Sequence, residues 1–156
     1  MKKITLLFII IIFSLSTNLF ADGTIKVKRI FEGKENAKIT IITYESLTCS
    51  HCASFHKDVY PQLKKEFIDT GLVKIEFRHF PLDLAALNAS KIAQCNNDGK
   101  SNLLHLLYSN QLKWAKGETV ELANSHLKKL LKDNNVSLDF EKCTNDKNIE
   151  DYILND

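Results

Sequence analysis

The tetrapeptide Cys49-Ser50-His51-Cys52 stands where an apolar run, Ile39 to Tyr44, gives way to a helical pattern. A strand that feeds a CxxC at a helix start leaves few folds open, and it also suggests a chemistry. The unsatisfied N–H groups at a helix start carry partial positive charge, which stabilises a thiolate and can lower a cysteine pKa from about 8.5 into the range of roughly 3.5 to 7.5. Cys49 is therefore the candidate nucleophile. Cys52, one turn further in, is placed to attack a mixed disulfide on Cys49 and release the partner. The competing reading of a lone CxxC is a metal half-site.

The first residues read as an export signal. Lys2 and Lys3 precede an unbroken apolar run from Leu6 to Phe13, then the more polar Ser14 to Asn18, with cleavage expected after Ala21. The apolar run is short of the roughly 20 residues that a membrane-spanning helix needs. Leu19, at the minus-three position, is a poor match to the cleavage rule, so an uncleaved anchor is the alternative. Residues 1–21 are thus assigned as a signal peptide and the expected location is the bacterial periplasm, where disulfides persist.

Taking Lys2 and Lys3 from the 21 basic residues leaves 19, against 19 acidic ones. A near-neutral mature chain makes no electrostatic case for nucleic acid as a partner. The remaining stretch, 22–156, has the usual size of one domain, and it holds no internal repeat or low-complexity tract.

Along that stretch, a strand is expected at Ile25 to Phe31, followed by a turn at Gly33. Ile39 to Tyr44, apolar on both faces, reads as a central strand. Phe55, Val59, Leu63 and Phe67 recur every four residues up to Gly71, giving a helix whose stripe is core, with a kink at Pro61. Val73, Ile75 and Phe77 alternate with Lys74, Glu76 and Arg78, as in a strand with one wet face. From Asp83, a candidate N-cap for Leu84 to Gln94, the pattern is helical throughout. A second helix holds Leu103, Leu104, Leu106, Leu107 and Trp114, and a third holds Leu122, Leu127, Leu130 and Leu131, before a turn at Asn134 and Asn135. A fourth helical stretch starts at Ser137 and reaches the C-terminus.

Three segments together are far more specific than the CxxC alone: Ile39 through Cys52, the Phe55-His56 start of the helix, and Phe77-Arg78-His79-Phe80-Pro81-Leu82. In these the chain resembles the DsbA-like thiol-disulfide oxidoreductases of the thioredoxin superfamily, in the bacterial subgroup with a compact helical insertion. The resemblance implies an α/β fold, a thioredoxin-like βαβ core with an inserted helical subdomain at about 83–145. It also implies a periplasmic dithiol oxidase that forms disulfides in exported, cysteine-containing proteins and is reoxidised by a membrane redox partner, with no cofactor and no metal. A disulfide reductase or isomerase, or a non-catalytic remnant or binding module, are the alternatives.

Between the two thiols, His51 is expected to stabilise the Cys49 thiolate and so make the disulfide more oxidising. With His56, the same three residues also allow a soft-metal reading, which would distort the helix. Cys95 and Cys143, the pair left over in an oxidising compartment, are expected to bond to each other. Two departures from the family pattern stand out. The only prolines, Pro61 and Pro81, do not fit the cis-proline position opposite the CxxC, so the C-terminal strands of the fold are expected to be missing and Ile39 to Tyr44 left as an open edge. Thr43 stands six residues before Cys49, where relatives often carry a buried carboxylate; nearby Glu45, read as lying on the opposite side of the strand, is not given that role.

Overall fold

A computed structural model describes residues 26–156. The signal-peptide assignment lies outside the described residues. Three strands form one sheet in the order β1-β3-β2: β1 (Ile30–Glu32), β2 (Ile39–Glu45) and β3 (Val73–His79). β1 runs antiparallel to β3, with Ile30 opposite Phe77, and β2 runs parallel to it, with Ile41 opposite Ile75. This is the mixed sheet of a thioredoxin-like fold.

The middle strand is β3, so of the two expectations for Ile39 to Tyr44, a central strand and an open edge, the open edge holds. Val73, Ile75, Phe77 and His79 on β3 are buried, in strict alternation with Lys74, Glu76 and Arg78. The wet face carries a charge cluster in which Glu76 accepts from Lys74 at 2.9 Å and Arg78 at 3.2 Å. β2 is an edge strand: Ile39, Ile42 and Tyr44 are all exposed. A run apolar on both faces shows that a strand tolerates apolar surroundings, but pairing partners decide whether it is central. The first strand is also shorter than expected, beginning at Ile30, and residues 26–29 are not in a strand.

Between β1 and β2 the chain turns at Gly33, at φ +97°, where a Cβ would stand 2.5 Å from the Val73 carbonyl oxygen. Only glycine satisfies both the positive φ and the close approach.

The helix after the motif is built in four pieces: α1 (Ser50–Ser54), a π-turn at Phe55–Val59, α2 (Tyr60–Leu63) and a second π-turn at Lys64–Ile68. Pro61 lacks the N–H that an α-helix would offer to the carbonyl of Lys57, and the turn before it widens so that the Tyr60 N–H bonds to the Phe55 carbonyl. The expected kink is thus expressed as a widened turn. Each wide turn takes an extra residue and rotates the buried face. His56, Tyr60 and Ile68 are buried, Phe55 and Leu63 pack partly against the core, and Val59 and Phe67 are exposed, so the evenly spaced stripe is only half core. Gly71, at φ +81°, ends the helix, with its N–H on the Ile68 carbonyl and that of Leu72 on the Phe67 carbonyl.

The helical half consists of α3 (Leu84–Gln94), α4 (Asn102–Ser109), α5 (Gln111–Trp114), α6 (Val120–Asp133), α7 (Phe140–Asn145) and α8 (Lys147–Asn155). Asp83 caps α3 by accepting the Ala86 N–H at 2.7 Å. α3 is the hub: small residues Ala86, Ala89 and Ser90 bring α6, α7 and α8 close, and buried Lys91 reaches Glu150 at 2.6 Å. The second expected helix breaks at Asn110, and the fourth, expected to reach the C-terminus, breaks at Asp146, which caps α8 by accepting the N–H groups of Asn148 and Ile149, and then runs to Asn155. Trp114 is fully buried and donates its indole N–H to the Leu107 carbonyl at 2.9 Å, sealing α4 against α5. Cys95 at the end of α3 and Cys143 in α7 are bonded, with Cα atoms 5.5 Å apart.

Candidate functional site

The parallel pairing of β2 with β3 delivers the chain at Glu45 to the rim of the sheet, and four residues carry it to the helix start at Cys49. This loop is pinned from several sides. Cys49 donates its N–H to the Ser46 carbonyl at 3.0 Å, Thr48 donates its hydroxyl to Asp83 at 2.7 Å, and Leu47 is fully buried. Gln111, buried at the start of α5, donates its side-chain amide to the carbonyls of Leu47 at 2.8 Å and Cys49 at 2.9 Å. The helical half thereby grips the motif loop directly.

Cys49 is the N-cap of α1, and its sulfur accepts the Cys52 backbone N–H at 3.4 Å. That hydrogen bond, with a second from the His51 backbone N–H, holds the Cys49 thiol below its ordinary pKa. Cys52 is less accessible, and burial pushes its thiol up to about 11. Neighbouring sulfurs are thereby set apart, Cys49 shifted toward the thiolate and Cys52 toward the thiol. His51 is exposed, and its backbone N–H is directed at the Cys49 sulfur.

Glu45 is buried, and its Oε2 lies 2.6 Å from His56 Nε2. Its negative charge bears on both cysteines. Residues two apart on a strand share a face, so Glu45 stands on the same side as Thr43, which corrects the assignment of Glu45 to the other side. His56 turns into the protein, stacked on Tyr108 at 4.0 Å, with its Nδ1 3.2 Å from His105 Nδ1. Among the described residues no cluster of His, Cys, Asp and Glu side chains could hold a metal ion, so the four candidates of the soft-metal reading do not converge. Among the same residues no helix is long and apolar enough to cross a membrane.

Sequence reasoning missed Glu45 and Gln111 beside the motif, and His105 as the partner of His56. The period-two rule applied to Thr43 and Glu45 was sufficient to find the first. The other two come from α4 and α5, and nothing in their local sequence marks the approach.

A model of the thioredoxin family matches residues 26–156. The chain belongs to the thioredoxin family. Its structural neighbours there are DsbA proteins: the crystal structure of Wolbachia pipientis alpha-DsbA1 is 35% identical, superposes with a TM-score of 0.72, and is matched over 81% of this chain and 64% of that one. A Rickettsia bellii protein named as a protein-disulfide oxidoreductase is 35% identical over 85 residues, 53% of this chain and 33% of that protein. BdbD from Bacillus subtilis in its oxidised form, 20% identical, shares the fold with a TM-score of 0.57 over 78% of this chain and 65% of its own. The chain therefore spans about a third of the length of the curated relative from Rickettsia and under two thirds of the length of alpha-DsbA1.

Proposed function

We propose that this chain is a protein thiol-disulfide oxidoreductase that forms disulfides in exported proteins, with Cys49 as the nucleophile and Cys52 as the resolving thiol. The observation that carries the reading is the separation of the two thiols: Cys49 held down by backbone N–H groups at a helix start, Cys52 pushed up to about 11 by burial. A substrate thiolate attacks Cys49 in the Cys49–Cys52 disulfide, and the electron pair of the broken bond leaves on Cys52. A second substrate thiolate then attacks its own sulfur in the mixed disulfide, closing the substrate disulfide and releasing the Cys49 thiolate. Stabilising that thiolate makes Cys49 a good leaving group and favours the oxidase direction over reduction.

Exposed Tyr44, Phe80, Leu82 and Leu84 cluster in sequence about the pinned loop, which Leu82 touches by donating its N–H to Ser46 at 3.4 Å. An unfolded, cysteine-bearing segment rich in apolar side chains is the substrate such a rim suits. The export segment Lys2 to Ala21 supports a periplasmic location, and a Cys95–Cys143 bond acting as a structural staple agrees with an oxidising compartment. Reoxidation then falls to a membrane redox partner acting on Cys49.

Thiolate-selective alkylation as a function of pH tests the assignment. Cys49 is expected to react at lower pH than an ordinary thiol, and Cys52 only as the pH approaches 11. Equal rates for the two at every pH would remove the basis of the assignment.

A further inference from the structure

One side of the β2 backbone is left without a partner. In the parallel ladder with β3, Glu45 stands opposite His79 and its carbonyl accepts the Phe80 N–H at 2.8 Å. Backbone groups alternate in direction along a strand. Ile39, Ile41, Thr43 and Glu45 therefore turn N–H and C=O toward β3, while Thr40, Ile42 and Tyr44 turn theirs to the open edge. Among the described residues none of these outward groups has a backbone partner, and the side chains of the same three residues are exposed. An edge strand is ordinarily blunted by a charge, a proline or a bulge. Ile39 to Tyr44 consists only of isoleucine, threonine and tyrosine, and its register with β3 is unbroken. We propose that β2 is the interface of a homodimer. Two copies pair antiparallel through β2 about a two-fold axis at Ile42, giving one continuous sheet in the order β1-β3-β2-β2-β3-β1.

The register follows from the outward groups. With the axis at Ile42, that residue faces Ile42 of the second copy and Thr40 faces its Tyr44, each facing pair exchanging two hydrogen bonds. Any other axis leaves part of the row facing residues outside the strand. The side chains agree with this choice: tyrosine lies across from threonine, isoleucine from isoleucine, and on the other face Ile41 from Thr43. Antiparallel pairing also carries Lys38 to the end of the other strand that Glu45 closes, whereas parallel pairing sets the two Lys38 side by side.

A second copy suits the edge better than an unfolded segment does, because its β2 is already ordered by β3 and loses no backbone freedom on pairing. Room is available as well. The helix after the motif packs over β3 at its Lys64–Ile68 turn. Across the axis the two such helices stand three strand spacings apart, about 14 Å, more than the roughly 10–12 Å that a helix with its side chains occupies. Ile39 of the second copy falls opposite Glu45, so the interface reaches the rim that carries the motif, and the two motifs open at opposite ends of the paired strands.

The test uses the full chain in its Cys49–Cys52 disulfide form, which holds no free thiol to cross-link copies. Sedimentation and residue-resolved amide exchange are measured at about 1 µM and about 200 µM, bracketing the micromolar affinity of a small interface. Wild type is expected to pass from monomer to dimer. The Thr40, Ile42 and Tyr44 amides should exchange at least about tenfold more slowly at the upper concentration, with those of Ile41, Thr43 and Glu45 protected at both. Ile42→Lys sets two lysines face to face on the axis, and Ile42→Pro removes an outward N–H while sparing every bond to β3; each should stay monomeric at the upper concentration. Far-UV circular dichroism identifies folded variants, and the wild-type amide pattern decides the proposal if neither folds. A wild-type monomer at both concentrations, association that persists in both folded variants, or outward amides whose exchange is independent of concentration would each overturn the dimer. So would protection of those amides that appears only when a reduced, unfolded protein is added, which would make the edge a substrate site. None of these outcomes depends on whether the chain exchanges thiols.

Discussion

At the residue scale the two thiols of one motif experience opposite surroundings, and this has a thermodynamic signature. In the dithiol form Cys52 keeps its proton to about pH 11 when folded and releases it from about pH 9 when unfolded. Between those values the native state binds more protons, so stability falls as the pH rises. Cys49 acts with the opposite sign, its lowered pKa adding stability as the pH rises toward 9. Denaturant titrations of the dithiol form between pH 8.5 and pH 11 should show wild type losing stability more steeply than Cys52→Ser, and equal slopes would mean that Cys52 is not shielded. The motif itself was legible in the sequence, since a helix start beside a CxxC has one electrostatic consequence. The environment of Cys52 was not, because the groups that bear on it, Glu45 at the end of β2 and Tyr108 in α4, come from elements other than its own helix.

At the element scale the helix after the motif shows where periodicity misleads. Phe67 extends the four-residue stripe and Ile68 does not, yet Phe67 is 42% exposed and Ile68 only 2%. Two π-turns, the first enforced by Pro61, rotate the face by a residue at a time, and a regular 3.6 period cannot register that. Ile68→Ala is expected to cost about 2–5 kcal/mol and Phe67→Ala less than about 1 kcal/mol, measured by chemical denaturation; the reverse order would mean that the regular helix is the true one. Where capping chemistry is explicit the reading is sharper: Asp83 set the first residue of α3, and Gly71 the end of the helix before β3. The breaks at Asn110 and Asp146 were missed because an asparagine or aspartate within a helical pattern reads equally well as exposed surface or as a cap.

At the scale of the whole molecule, a small sheet carries the motif and the helical half steadies it. Gln111 reaches from α5 to the Cys49 carbonyl, and α3 is tied to α7 by the Cys95–Cys143 bond across 48 residues. Replacing both cysteines with alanine should lower stability by about 4 kcal/mol on a chain-entropy estimate, read from denaturant midpoints, and leave Cys49 alkylation unchanged if the bond is a staple and not a second redox centre. Overall topology was legible because strand alternation, helix stripes and turn glycines agreed with one another. Strand order was legible only in part: the open edge at β2 followed from the departure from the family's proline pattern, whereas its apolar run by itself pointed to a central strand. The most direct test of the central claim is trapping: Cys52→Ser and Cys49→Ser variants of the full chain are each mixed with a reduced, cysteine-bearing protein in a buffer of oxidised and reduced glutathione, the oxidised form accepting the two electrons, and mapped by mass spectrometry. The account predicts that Cys52→Ser accumulates a mixed disulfide through Cys49 and Cys49→Ser accumulates none; a substrate linked to Cys52, or no linkage in either variant, would contradict it.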